Sequence, residues 1–204
     1  MYRSIGFQNQ DKTLEVIKEL MDNEYSEIRN SLHIIGQHYY NYLLYKIALE
    51  NYNVLMSFIS LCEKESEKSK KIDSKVESNQ IINVNRHILN FLSAFRTFLD
   101  HHETRLKRSF GKKSDQVSEF KQATSKLFDD NLSYRFISKF RNYCQHCGIP
   151  VSTLKKTLKT DKNLQNYTEL IFELDREHLL TDFDGWGAIV TKDIQGLPQK
   201  ICLW

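Results

Sequence analysis

Apolar positions recur at helical spacing through most of the chain. Between residues 12 and 35, Leu14, Ile17, Leu20, Met21, Ile28, Leu32 and Ile35 fall near a 3.6-residue period, which predicts a first helix. Leu43, Ile47, Val54, Phe58 and Leu61 predict a second over 38–64. Residues 63–79 are almost all charged or small polar, and read as a solvated helix end plus a mobile connector. The clearest repeat follows. Ile81, Ile88, Leu92, Phe95, Leu99, His102 and Leu106 define one face of a long helix over 81–110. Gly111 supplies its stop, with Lys112 and Lys113 beside it. Ser114 is a predicted N-cap for a helix carrying Val117, Phe120, Thr124, Leu127 and Phe128. Leu132, Phe136, Phe140, Tyr143 and Cys147 form the apolar stripe of another over 132–147. Gly148 suits the left-handed position after its end, and Pro150 forbids continuation.

Past Pro150 the period changes. A strand is expected within 151–159, and 167–175 alternates Leu170, Phe172 and Leu174 with Glu169, Ile171 and Glu173. Together they predict a hairpin closed by the intervening polar loop. Residues 176–195 return to helical character, interrupted by Asp184-Gly185-Trp186-Gly187, and Ile201-Cys202-Leu203-Trp204 reads as a docked terminus or a shortened chain. The expected fold class is mainly α. A helical domain over 1–150 carries a small C-terminal β-hairpin and helix, 151–204, packed on it. Composition agrees, because only 7 Gly and 2 Pro in 204 residues leave few of the turn formers that sheet-rich folds consume.

Charge and hydropathy narrow the class further. Mean hydropathy is −0.53, and the most apolar long stretch, 39–61, contains Lys46 and Glu50, each costly in a bilayer centre. The first residues lack a signal-peptide core, so the expected compartment is the cytoplasm, where Cys62, Cys144, Cys147 and Cys202 are expected as reduced thiols. A net charge of +3 is too weak to indicate nucleic acid by itself. The cations are clustered, however. Arg105, Lys107, Arg108, Lys112 and Lys113 form one group, and Lys155, Lys156, Lys159 and Lys162 another. These groups bracket the helix over 132–147, and read either as RNA-binding surface or as solubilising faces.

That helix ends in Phe140-Arg141-Asn142-Tyr143-Cys144-Gln145-His146-Cys147-Gly148-Ile149-Pro150. Histidine titrates near neutrality and suits proton transfer, whereas arginine stays charged and forks onto phosphate oxygens. Arg141 and His146 lie about 140° apart around a helix, so one helix makes a poor dyad. Two copies crossing at a two-fold axis bring Arg141 of one toward His146 of the other. Asn142 and His146 share a face that Lys139 and Arg135 extend backward. The last turn also favours protonated His146, a candidate general acid. The alternative is that Arg141 and His146 cap helix carbonyls or pair with Asp129 or Asp130.

Arg141, followed directly by the polar Asn142 and after four residues by His146, resembles the Arg-x4–6-His signature of the HEPN superfamily. The preceding LSAFRTFLDHHETRLKRSFG is also similar to bacterial members, and the resemblance covers about 81–151. It implies a HEPN-like helical bundle that acts as a homodimeric, metal-independent endoribonuclease, plausible as a bacterial toxin or antiviral effector. The two copies would meet through the 132–147 helix. Arg141, His146 and Asn142 would be catalytic. Lys139, Arg135, Arg105, Arg108, Lys112, Lys155 and Lys156 would bind RNA, and Asp100 and His101 would orient polar groups of the motif helix. No cofactor is implied, and an antitoxin or defence protein is an expected partner. A non-catalytic dimerisation or binding module with the same helix is the alternative. Some members carry a modifiable Tyr shortly after the motif His. Here Cys147 and Gly148 stand there instead.

Two other patterns invite a metal. Cys144-Gln145-His146-Cys147 has no second ligand pair, so Cys144 and Cys147 are expected as small core or interface residues. In Asp100-His101-His102-Glu103, neighbours point 100° apart, too far round for one ion. His102 is expected in the core, and Arg96 is placed to pair with Asp100.

Overall fold

Residues 4–19 form a hairpin rather than the start of a helix. The computed structural model describes residues 3–68, 74–160 and 166–202, and its first elements are the antiparallel strands β1 (Ser4–Gln8) and β2 (Leu14–Glu19). A polar turn decides this. Asp11 accepts from the Thr13 amide at 3.0 Å and from its hydroxyl at 2.6 Å, and Lys12 takes φ 68°. Such Asx geometry competes with helix initiation. Gly6 seats the irregularity in the ladder, because a Cβ there would lie 2.2 Å from the Glu15 carbonyl oxygen.

The two helices predicted over 12–35 and 38–64 are one, α1 (Asp22–Lys68). No proline divides it, and Gly36 lies inside it with nothing near the position of its absent Cβ. Helices α2 (Ser74–Phe110), α3 (Asp115–Asp130) and α4 (Leu132–His146) follow. The connector's residues 69–73 lie outside the described residues. Gly111 stops α2 at φ 92°, and the Ser114 side chain accepts from the Val117 amide to cap α3, as expected. Asn131 separates α3 from α4 and caps α4 by accepting from the Tyr134 amide. Gly148 does not take the left-handed conformation expected of it. It is needed for space, since a Cβ would lie 2.7 Å from Tyr143 Oη.

The C-terminal part comprises β3 (Thr153–Thr160), β4 (Asn166–Asp175), α5 (Arg176–Asp182), α6 (Ala188–Gly196) and β5 (Lys200–Cys202). The expected hairpin pairs Leu154 with Phe172 and Thr153 with Glu173. β5 adds a third antiparallel strand that the alternation did not reveal, with Leu174 opposite Ile201. Lys162, the hairpin loop, Leu203 and Trp204 lie outside the described residues.

The chain divides into two compact units, Met1–Leu43 and Leu44–Trp204. In the second, Leu55, Ile59, Val84, Ile88, Phe140, Tyr143, Phe172, Leu179, Trp186, Val190 and Ile194 form one core, so residues past 150 share their interior with α1, α2 and α4. Trp186 is its hub. Its ring stacks on Phe136 and Tyr143, each with centroids 5.8 Å away, and its indole N–H donates to the Leu179 carbonyl at 2.6 Å. Buried Asn85 locks α2 to the approach of β3. It accepts from the Val151 amide at 2.7 Å and donates to the Val151 carbonyl at 2.8 Å. No helix among the described residues is long and apolar enough to cross a membrane. The fold is mainly α-helical with a small C-terminal sheet.

Candidate functional site

Helix α4 has two chemically distinct faces. Phe136, Phe140 and Tyr143, at helical spacing, turn inward, and successive rings stack 4.9 and 5.9 Å apart. The aromatic face immobilises the helix, and the rotation this sets aims Tyr134, Ser138 and Arg141 the other way. There they line a polar cavity of about 530 Å³ with Lys139, Asn142, Arg96 and Asp100 of α2, and Thr124, Ser125 and Phe128 of α3.

Arg141 is the unusual group in it. Its Nε is buried and has no hydrogen-bond partner. A buried, unsatisfied charged donor is costly, so such a group in a polar cavity is a candidate for a ligand's oxygens. Arg96, Lys139 and Arg141 place three cations around the space against one carboxylate, Asp100. Arg96 holds that carboxylate with Nη2 at 2.8 Å and Nε at 2.9 Å, the pairing expected one turn apart. Burial pushes the Tyr134 phenol above its ordinary value, against the opposing effect of Arg96. The Ser138 hydroxyl donates back to the Tyr134 carbonyl at 2.7 Å.

The sequence-predicted residues distribute unevenly around this cavity. Arg141, Asn142, Lys139 and Asp100 come together in it, whereas His146 and His101 are not among its lining residues. His146 is exposed in the last turn of α4. Arg135 points elsewhere. It forms a two-pronged ion pair with Asp193 of α6, with Nη2 to Oδ1 at 3.1 Å, and also donates to the Phe128 and Asp129 carbonyls at 3.3 and 3.0 Å. That hydrogen bonding holds the Asp193 carboxyl below the usual range and raises the guanidinium further. Arg135 is thus a clamp between α4 and α6, and the pairing with the Asp129 region considered for Arg141 belongs to Arg135 instead.

The outlying cations are also divided. Arg108, Lys112 and Lys155 are exposed, and Arg105 is half-buried. Lys107 pairs with Glu103 at 2.8 Å, Lys156 donates to the Ser66 carbonyl at 2.6 Å, and Lys159 pairs with Glu169 at 2.6 Å. None of these lines the cavity. His102 packs between the Phe98 and Phe120 rings, at 6.1 and 5.1 Å. Cys144 packs against the core, where burial pushes its thiol up to about 12, while Cys147 is exposed. Among the described residues, no group of three or more His, Cys, Asp and Glu side chains is placed to hold a metal ion.

Sequence reasoning missed Tyr134, Ser138, Thr124 and Ser125 as cavity residues and saw Arg96 only as an ion-pair partner. A signal existed for two of them, since Tyr134, Ser138 and Arg141 fall at i, i+4 and i+7 on one helix face. No family model matches the chain, and no curated protein or solved structure matches it.

Proposed function

We propose that this protein is a HEPN-like endoribonuclease that acts on RNA as a homodimer. The observation that carries the reading is the buried, unpartnered Arg141 Nε in a cavity with a cationic excess. The cavity suits a phosphodiester, whose charge the Arg141 fork and Lys139 would hold and whose oxygens Asn142 and the Tyr134 phenol would orient. His146 of a second copy would complete the site. In the proposed reaction the RNA 2′-oxygen attacks the adjacent phosphorus as its proton passes to solvent water, and the bond to the 5′-oxygen breaks. His146 supplies a proton to that leaving oxygen. The products are a 2′,3′-cyclic phosphate and a 5′-hydroxyl. A bacterial toxin or antiviral effector is the role such an activity would serve.

The test is cleavage of a labelled RNA by purified protein with EDTA present. The expected outcome is cleavage by wild type and a loss of at least about 100-fold in both Arg141→Ala and His146→Ala, the usual range for a lost proton-transfer or charge-stabilising group. Equal cleavage by wild type and both variants would sink the proposal. The exposure of His146 away from the Arg141 cavity favours one other reading, a non-catalytic RNA-binding module. That reading expects RNA retention that depends on Arg141 and survives His146→Ala, with no products at any protein concentration.

A further inference from the structure

The unit Met1–Leu43 presents a surface that its own residues leave uncovered. No residue described between 3 and 43 is buried. Within α1, apolar residues stand at Met21, Tyr25, Ile28, Leu32, Ile35, Tyr39 and Tyr42, with alternating steps of four and three from the residue preceding the helix onward. This is the repeat of a coiled-coil seam, sustained over three heptads and about 33 Å of helix. Lys46 stands where the next seam residue would fall. The middle of the seam is open: Leu32 and Ile35 are each 63% exposed and Tyr39 61%. Tyr25 is covered by the Arg3 guanidinium, 4.3 Å above its ring.

We infer that this seam pairs with the same seam of a second copy of this chain, parallel and in register. Three observations select that occupant. A four–three repeat fits another helix with the same repeat better than a flat surface, because each seam side chain fills a hole between four residues of the facing helix. The rim of the seam is self-complementary. With Ile28 and Ile35 at one seam position and Leu32 and Tyr39 at the other, Glu24 and Arg29 fall on opposite rims at the spacing that faces them across a parallel pair. Glu24, held in its own chain by Lys18 at 2.6 Å and by the Met21 amide at 2.9 Å, then lies beside a second cation, Arg29 of the other copy, twice by symmetry. Ser31 and Gly36 occupy the next facing rim positions, where small side chains let the helices approach. Third, the area suffices. The six exposed seam side chains offer roughly 700 Å² per chain, near the ~800 Å² per partner of a standard stable interface.

This pairing is independent of the nuclease reading, which invokes contact through α4, and it is tested by site-specific linking as well as by mass, because contact through α4 would also double the mass. Sedimentation equilibrium of the full chain at micromolar concentration is expected to give twice the 24.2 kDa chain mass or a higher multiple. Cysteine cross-linking locates the contact at the seam, in a background where Cys147 and Cys202 are serine. Ile35→Cys, at a seam position that meets its counterpart only in a parallel pair, is expected to form a linked dimer on mild oxidation. Asn30→Cys, on the outer face, is not. A wild type that sediments as one chain throughout overturns the inference. So does equal linking at both cysteine positions.

Discussion

The units Met1–Leu43 and Leu44–Trp204 use similar apolar residues to opposite ends. In the second, Trp186, Phe172, Val84 and Ile194 are sealed by neighbours drawn from α1, α2, α4 and the C-terminal sheet. In the first, Leu14, Ile17, Leu32 and Ile35 remain open to solvent. Apolar content therefore does not define a core. A core needs faces from several elements that converge, and a two-stranded hairpin with one stretch of helix supplies too few. The same contrast separates the two faces of α4. Its aromatic face is closed over Trp186, and its Arg141 face is left with an unsatisfied donor. Rigid packing on one side is what holds an unsatisfied donor in place on the other.

Truncating Trp186 should have the largest effect on this contrast. Trp186→Ala removes the hub of the second unit and leaves the Leu179 carbonyl without its donor. A loss of about 3–5 kcal/mol is expected, read as a lower urea midpoint. A change below about 1 kcal/mol would mean that the core is not organised around this ring.

Acid should act next, through the clamp between α4 and α6. Asp193 is held below the usual carboxylate range by Arg135. A carboxyl lowered in the folded state contributes stability that is fully present above its unfolded value near about pH 4. That contribution is lost as pH falls through the lowered folded value. Asp175, lowered mainly by Lys200, has the same sign. Asp193→Asn should therefore be less stable than wild type at pH 7, with the two converging as pH drops below about 4. Parallel stability curves would show that the pair contributes nothing through charge.

The smallest effect is expected in the first unit. Leu14 is 80% exposed and lies off the α1 seam, so Leu14→Ser should shift the unfolding midpoint by no more than about 0.5 kcal/mol. A larger loss would reveal a cover for the hairpin and would weaken the contrast between the units.

The residue sequence by itself determined the features that arise within a few bonds of one another. Gly111 ends α2, Ser114 caps α3, Pro150 prevents α4 from continuing, and the alternation of Leu170, Phe172 and Leu174 makes β4 a strand. The pairing of Arg96 with Asp100 is of this kind, and so is the placement of Arg141 and Asn142 next to each other. Leu14, Ile17 and Leu20 stand at helical steps of three, but a run so short is overridden once the Asp11 turn folds the chain back on itself. Only the tertiary structure decided what depends on direction and distant partners. The rotation imposed on α4 by Trp186 turned Arg141 toward Arg96 and Asp100, and left His146 exposed beyond that cavity. Arg135, on the same helix, was instead captured by Asp193, 58 residues away. Helical spacing specifies which side chains share a face, but which partner each face meets is set by how the elements pack.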